Sequence, residues 1–263
     1  MISDAATMGP VSLTVSDLPR SLNYYETVIG LRTLENDGDR ATLGTGERTL
    51  LELVAQPGAR DALGHTGLFH FALLVPCRAD LARWLAHAIR DRVALTGLSD
   101  HAVSEALYLR DPDGHGIEIY ADRPRAQWEG RVRELMTTVR LDAESLLGEL
   151  SEAATEPFEG LADGTIMGHV HLRVRDAAEA TSFYRDVLGF AVMAEIAGSA
   201  AFYAAGGYHH HMAANTWESR GATPPPPDAA GLRHATILVP DGPAEPERVQ
   251  DPSGNTLLIV CAP

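Results

Sequence analysis

The chain has 263 residues, of which 45% are hydrophobic and 22% charged, a composition typical of a folded globular protein. Its 36 acidic and 21 basic residues give a net charge of −15, which excludes ready binding to nucleic acid or to anionic membrane surfaces. The only cysteines, Cys77 and Cys261, are far apart and form no CxxC pattern, which argues against a disulfide scaffold or a thiolate metal site. Residues 1–10 lack a targeting pattern and no apolar run reaches the length of a membrane span, so we expect a cytoplasmic protein.

An internal repeat is the main organising feature of the sequence. A strand pattern at 11–15, Asp17, a helical stretch and Gly30 recur as a strand pattern at 170–174, Asp176, a helical stretch and Gly189. Asp and Gly are 13 positions apart in both copies. A turn sequence of the Asp-Pro-x-Gly type also recurs, at 111–114 and 251–254, each time before an apolar strand pattern. The two halves therefore begin and end alike.

Each half also divides into two smaller units. Further strand patterns occur at 68–75 and 232–239, and apolar residues at helical spacing over 79–91 predict a helix after the first of them. We therefore predict an α+β protein of four βαβββ modules, in an N-terminal domain (8–122) and a C-terminal domain (165–263). The charged segment 123–164 has helical periodicity around 132–150 and no strand pattern, which predicts a partly helical linker. Pro240–Pro246 stands where the helix of module four belongs, so that module is predicted to be truncated.

These repeats resemble the vicinal-oxygen-chelate superfamily of glyoxalases, bleomycin-resistance proteins and extradiol dioxygenases, and are most similar to its catechol 2,3-dioxygenase branch. The resemblance covers nearly the whole chain. It implies that paired modules curl into two cup-shaped sheets. It also implies that a divalent metal, Fe(2+) or in some members Mn(2+), is held by a ligand near the start of a module's first strand and another on its last strand.

Carried onto this sequence, the resemblance implies four places of each kind. The first-strand places are Pro10, His70, His169 and His234, each five residues before a strand valine. The last-strand places are Glu52, Glu118, about His211, and Leu258. Pro10 and Leu258 have no side-chain donor and cannot bind a metal.

The way in which the modules pair decides which of these residues meet. Pairing one with two and three with four gives neither cup the two-histidine, one-carboxylate set that oxygen-activating iron prefers. Pairing two with three gathers His70, Glu118 and His169, and leaves both lost ligands in the other cup. We therefore predict one metal site, between modules two and three.

Tyr108 and His211 are the predicted catalytic residues. Tyr108 lies ten positions before Glu118, the spacing of the active-site tyrosine in the enzymes that the chain resembles, and His211 resembles their histidine near bound oxygen. Tyrosine and histidine could take and return the protons of a catechol. Which of His209, His210 and His211 faces the cup depends on a strand register that the sequence leaves open, and Tyr108 could instead be a packing aromatic.

The function predicted on this basis is extradiol ring cleavage of a catechol by O2, with small aromatic molecules as the only partners and a homodimer as a working hypothesis. Two alternatives stay open. A glyoxalase-like isomerase or lyase would need two glutamates where the predicted site has one. A binding protein of the bleomycin-resistance type would hold an aromatic ligand without a metal.

Overall fold

The computed structural model describes residues 2–150, 158–240 and 242–262. In them the predicted modules are present, and the strands form two mixed sheets. The prediction of an α+β fold of four related modules in two curled sheets is confirmed. The bounds of the first two modules are β1 (Thr7–Val15), α1 (Leu18–Tyr24), β2 (Arg32–Asn36), β3 (Arg40–Thr45) and β4 (Arg48–Ala55), then β5 (Gly67–Leu74), α2 (Arg78–Arg90), β6 (Gly97–Asp100), β7 (Ser104–Arg110) and β8 (Gly116–Asp122).

The other two modules differ in completeness. Among the described residues, module four has no helix, and the segment 242–246 runs directly into its second strand, as its proline content predicts. Their bounds are β10 (Ile166–Arg173), α5 (Ala177–Ser182), β11 (Ala191–Ile196), β12 (Ala200–Ala204) and β13 (Met212–Asn215), then β14 (Gly231–Val239), β15 (Glu247–Gln250) and β16 (Thr256–Cys261).

The repeated spacing of Asp and Gly has a local explanation. The Asp17 and Asp176 side chains cap α1 and α5 by accepting hydrogen bonds from backbone N–H groups of the first turn. Each helix continues as a π-helical turn and ends at a glycine with a left-handed backbone, at φ 88° for Gly30 and 90° for Gly189. Glycine adopts this conformation without steric cost, so the same helix is made twice.

The sheets pair modules from opposite halves of the chain. Sheet A has the order β15-β16-β14-β1-β4-β3-β2 and contains modules one and four. Sheet B contains modules two and three in the order β11-β12-β13-β10-β5-β8-β7-β6, followed at its edge by β9 (Val139–Arg140) from the segment between the halves. The central pairs, β1 with β14 and β5 with β10, are antiparallel. Modules two and three therefore share one cup, as the distribution of lost ligands predicts.

The segment between the halves is only partly helical. It contains a short 3-10 turn (Arg125–Gln127), α3 (Val132–Leu135), β9 (Val139–Arg140) and α4 (Ala143–Leu147). It also forms a two-residue strand that its sequence pattern does not indicate, because β9 pairs with β6 at the edge of sheet B. Residues 151–157 of the predicted linker lie outside the described residues.

The core lies between the sheets and their helices. Tyr25, Phe71, Trp84 and Tyr184 are fully buried in one hydrophobic cluster that takes residues from all four modules. Burial of such large apolar side chains is the main contribution to the stability of the fold. Of the helices that the structure describes, none has both the length and the apolar character needed to cross a bilayer.

Candidate metal and substrate site

The predicted ligands come together on the inner face of sheet B. Glu118 on β8 pairs in register with Ala72 on β5, and Ala72 pairs with His169 on β10. Directly paired residues point to the same face of a sheet, and so do residues two apart on one strand. His70 lies two residues before Ala72 on β5, so its side chain is on the same face as Glu118 and His169. The small side chain of Ala72 leaves the space between the three larger ones free. We refer to His70, Glu118 and His169 as the triad.

The triad is compact and buried. His70 Nε2 lies 3.0 Å and His169 Nε2 3.1 Å from the same carboxylate oxygen, Glu118 Oε2. All three ligand atoms are within 4.8 Å of one another. The Nε2 atom of His70 is enclosed and its contact with Glu118 lacks the direction of a hydrogen bond, so it has no hydrogen-bond partner. A buried imidazole nitrogen with its polar capacity unused is consistent with a metal ligand.

The electrostatics of the triad also fit a cation. Burial lowers the pKa of His169 to about 4 against the opposing effect of Glu118, so the imidazole is neutral near pH 7. Burial alone would raise the pKa of Glu118, but the neighbouring histidines place it well below its ordinary value and the carboxylate is ionised. No lysine or arginine of the described residues forms an ion pair with it. An ionised buried carboxylate is costly without a partner, and a divalent cation would supply one.

A cavity of about 680 Å³ opens in front of the triad. His70 and Glu118 line it directly, and His169 lies behind His210, with 4.0 Å between the two ring centroids. Its walls are mostly apolar and aromatic, with Phe69, Ile117, Met136, Ile196, Phe202 and Trp217 among the lining residues. Part of the rim comes from the segment between the halves, which contributes Arg133, Met136, Thr137 and Thr138. The size and the apolar walls suit a small aromatic ring.

Tyr108 lies beside the triad, as its spacing from Glu118 predicts. The two residues pair directly between β7 and β8, and Tyr108 lines the cavity. Burial and the charge of Glu118 raise the pKa of Tyr108 well above its ordinary value. Its hydroxyl lies 2.8 Å from His101 Nε2, and His101 Nδ1 lies 2.8 Å from the Thr137 carbonyl oxygen. A carbonyl can only accept, so Nδ1 carries the proton and Nε2 accepts from the tyrosine hydroxyl.

The structure shows which histidine of the His209–His211 cluster faces the cavity. His210 lines the cavity, whereas His211 does not. His211 Nδ1 accepts a hydrogen bond of 3.2 Å from the Ala205 backbone N–H, and its ring contacts Tyr208. His209 Nε2 donates to Asp122 Oδ1 at 2.8 Å, and His209 Nδ1 lies 2.8 Å from His210 Nδ1. The predicted catalytic residue His211 is thus placed beside the cavity wall, and its neighbour occupies the position facing the triad.

The corresponding place in sheet A is incomplete. Ser12 pairs with both His234 and Glu52, the same register as Ala72 with His169 and Glu118. His234 Nε2 and Glu52 Oε2 are 3.8 Å apart, and Pro10 and Leu258 add no donor. Within the described residues, the triad is the only group of three or more potential ligands that could hold a metal.

The sequence left open which of His209, His210 and His211 faces the cup, and it assigned no role to His171. The first point was open because the three consecutive histidines precede β13, which begins at Met212, so strand alternation does not extend to them. His171 lies two residues after His169 on β10 and also lines the cavity. Period-two alternation from His169 would have placed it on the same face.

The fold and the sequence together define the class of protein. The family model of the Glyoxalase/Bleomycin resistance protein/Dioxygenase superfamily matches residues 7–119 and 166–244, and the chain belongs to this superfamily. The predicted family resemblance is thereby confirmed.

Within this superfamily, the chain is similar to several individual proteins. The chain is 47% identical over 246 residues to a catechol-2,3-dioxygenase of Bacillus subtilis, a match that covers 91% of this chain and 85% of that protein. The crystal structure of a putative dioxygenase from Bacillus subtilis aligns with a TM-score of 0.63 at 13% identity, over 98% of this chain and 85% of that one. Glyoxalase I from Zea mays aligns with a TM-score of 0.57 at 16% identity, over 98% and 92% of the two chains. The two structural matches show a shared fold.

Proposed function

We propose that the protein is a metal-dependent extradiol dioxygenase that cleaves the ring of a catechol-type substrate with O2. The observation that carries the proposal is the triad of two histidines and one glutamate, converging on Glu118 Oε2 within 3.1 Å beside an apolar cavity. The 47% identity to a catechol-2,3-dioxygenase over most of both chains supports the same reaction. A glyoxalase-type reaction is less well supported, because the triad has one glutamate.

The triad would hold the metal through His70 Nε2, His169 Nε2 and the Glu118 carboxylate. Two neutral imidazoles and one carboxylate are the ligand set typical of non-haem Fe(2+) oxygenases, and Mn(2+) accepts the same donors. When bound, such a metal would supply open positions at which both substrate oxygens and O2 can meet.

The cavity would hold the aromatic ring. Phe69, Phe202 and Trp217 offer ring faces and edges against which a substrate ring can pack. A ring packed against these walls would displace water, which would strengthen the electrostatic interactions of the substrate with the polar groups around the triad.

Tyr108 would receive the first substrate proton. Its hydroxyl hydrogen is directed to His101 Nε2, so its oxygen lone pairs are free to accept a hydrogen bond from a catechol hydroxyl. As that proton moves to Tyr108 Oη, the tyrosine proton can pass to His101 Nε2, while Nδ1–H remains bonded to the Thr137 carbonyl. This relay moves a proton from the cavity to a partly exposed histidine without creating a buried tyrosinate.

His210 would act from the other side of the triad. Asp122 accepts from His209 Nε2–H, so His209 Nδ1 is an acceptor and His210 Nδ1 carries the proton that fills the 2.8 Å contact between them. The lone pair of His210 is then on Nε2. A neutral imidazole held in this tautomer can accept a proton at the cavity and return it later in the reaction.

Oxygen uptake tests the proposed function. We expect the protein, purified without oxygen and loaded with Fe(2+), to consume one O2 per catechol and to form a yellow ring-opened product. A matched control is the same protein loaded with Zn(2+), which has no redox chemistry and should bind without turnover. If the iron-loaded protein binds catechols but consumes no O2, the proposal is contradicted and a binding function replaces it.

A further inference from the structure

His171 has a fixed environment that the proposed reaction does not explain. It is 3% exposed and pairs directly with His70 across β5 and β10, with 5.0 Å between the ring centroids. Its other ring contacts are Phe69, Phe202 and Trp217, at 5.1, 5.8 and 5.5 Å. It therefore lies on the aromatic side of the triad. Tyr108 also contacts His70, and the Tyr108 hydroxyl is hydrogen-bonded to His101 in the proposed proton relay. The relay and the aromatic wall around His171 are therefore formed by different residues.

The hydrogen bonds around Asn215 fix the orientation of its amide. The Trp217 backbone N–H donates to Asn215 Oδ1 at 3.1 Å. Because a backbone N–H can only donate, the oxygen of the amide must face Trp217 and its NH2 group must face His171. Asn215 is fully buried, so this orientation is not exchanged by contact with solvent.

The orientation of Asn215 in turn fixes the tautomer of His171. Asn215 Nδ2 lies 2.9 Å from His171 Nε2 and can only donate to it. Nε2 must therefore carry the lone pair, and the proton of the neutral ring is on Nδ1. Nδ1 has no hydrogen-bond partner among the described residues, yet it is not among the fully enclosed unpaired atoms. Since His171 lines the cavity, its free N–H is available to a ligand there.

We infer that His171 Nδ1–H is a specificity-determining hydrogen-bond donor for a ring substituent of the substrate. Because His171 lies among Phe69, Phe202 and Trp217 and away from the relay of Tyr108 and His101, its partner is a substituent and not a ring hydroxyl. The substrate class is a catechol that carries an acceptor such as a carbonyl, ether or carboxylate oxygen. This inference rests on the proposed function for the catechol ring, but the tautomer of His171 and the selectivity for an acceptor can each be measured without turnover.

The tautomer can be read directly from imidazole 15N chemical shifts. We expect the Zn(2+)-loaded protein, which is diamagnetic, to show a protonated-type shift for Nδ1 and an unprotonated-type shift for Nε2 of His171. The signals that disappear in His171→Phe assign the residue, and His171→Gln provides the assignment if the first variant does not fold. In Asn215→Asp a carboxylate replaces the amide and can only accept hydrogen bonds, from the Trp217 N–H and from His171 Nε2. Nε2 of His171 should then carry the proton, so Nε2 should show the protonated-type shift and Nδ1 the unprotonated-type shift. An Nε2–H tautomer in the parent protein would overturn the inference.

Selectivity can be measured by binding in the absence of oxygen. Two matched ligand pairs of similar shape isolate the acceptor: 4-acetylcatechol with 4-isopropylcatechol, and 3-methoxycatechol with 3-ethylcatechol. We expect calorimetric titration of the Fe(2+)-loaded parent to give about three- to tenfold tighter binding of the acceptor member of at least one pair, relative to the apolar member. The ratio should fall by that factor in His171→Phe and Asn215→Asp.

The outcomes separate this inference from the proposed function. Equal ratios in parent and variants, or an equal loss for unsubstituted catechol and for the substituted ligands, would overturn the role of His171. Either result could occur in a protein that still cleaves catechol. Conversely, an iron-loaded parent protein that consumes no O2 would contradict the proposed function. The expected 15N shifts and binding ratios could still be observed in that protein, because neither measurement needs turnover.

Discussion

Glu118 and His169 meet across the single alanine that separates them in sheet B. Ala72 pairs with Glu118 on one side and His169 on the other, and the Oε2 and Nε2 atoms of these residues are 3.1 Å apart over it. Ala72 itself is fully buried. A metal ion would therefore lie above Ala72, where the small alanine side chain leaves room between Glu118 and His169.

Filling this space should remove the metal site. We expect Ala72→Leu to lower metal affinity by about 100-fold or more, because the added side chain displaces Glu118 and His169, with an overpacking cost of about 1–3 kcal/mol in stability. Metal content after equilibrium dialysis measures the effect. Ser12→Leu is the matched control, since Ser12 holds the same register position between His234 and Glu52 in sheet A. Equal metal loss in both variants, or none in Ala72→Leu, would contradict the assignment.

The relay of Tyr108 and His101 predicts a loss of turnover without a loss of metal. We expect Tyr108→Phe to reduce kcat by about 100- to 10,000-fold, because the phenyl ring keeps the packing but cannot accept the substrate proton. His101→Phe should give a smaller decrease, since Tyr108 then keeps its hydroxyl but loses the acceptor at 2.8 Å. Steady-state O2 uptake, with iron content as the control, measures both. A kcat near that of the parent in Tyr108→Phe would rule out the relay.

Substitution can distinguish the two neighbouring histidines. His210 lines the cavity and His211 hydrogen-bonds to the Ala205 backbone outside it, so His210→Ala should lower kcat by about 100-fold or more. His211→Ala should act chiefly on stability, by about 1–3 kcal/mol, because it leaves a buried N–H without its acceptor. O2 uptake and thermal unfolding of the two variants give the comparison. The reverse result would return the catalytic role to His211, as the sequence alone suggests.

The fold could be predicted from the sequence to the level of module pairing. The paired Asp and Gly positions report a helix start and a left-handed helix end, which are local features with strong residue preferences. Pro10 and Leu258 indicated the pairing, because pairing modules two and three places both residues without donor atoms in one cup and a complete ligand set in the other. Strand β9 was not predictable in the same way, since it is two residues long and forms only by pairing with β6.

The candidate site was predictable where it lies on regular strands. His70, Glu118 and His169 follow from register, because alternation on a strand fixes the face of each side chain. His210 precedes the first residue of β13, and it hydrogen-bonds to its neighbour His209, which Asp122 holds in turn. Asp122 and His209 are 87 positions apart, and no local pattern encodes their contact.

The two Asp-Pro-x-Gly turns predict different responses to pH. Burial would raise the pKa of Asp111, but His115 hydrogen-bonds to it and keeps it below its ordinary value, whereas burial raises the pKa of Asp251 beside Asn255. A carboxyl with a lowered pKa stabilises the fold above its unfolded pKa, and this stability is lost as the pH falls through the folded pKa. His115→Asn should therefore lower the free energy of unfolding at neutral pH by about 1–3 kcal/mol and move acid unfolding to higher pH.

Urea unfolding between pH 3 and 7 measures this effect. The control is Asn255→His, which places the histidine of module two at the same position in module four and should shift acid unfolding in the opposite direction. Identical pH profiles for the parent and for His115→Asn would show that His115 does not stabilise the charged form of Asp111.

The metal content of single-site variants tests the proposed site most directly. Protein purified without oxygen and loaded with Fe(2+) should hold about one metal per chain in the parent and in His234→Ala, and far less in His70→Ala, His169→Ala and Glu118→Ala. His234 is the matched control because it occupies the position in sheet A that His169 occupies in sheet B. Retention of metal in His70→Ala together with its loss in His234→Ala would place the metal in the other cup and contradict the assignment of the triad.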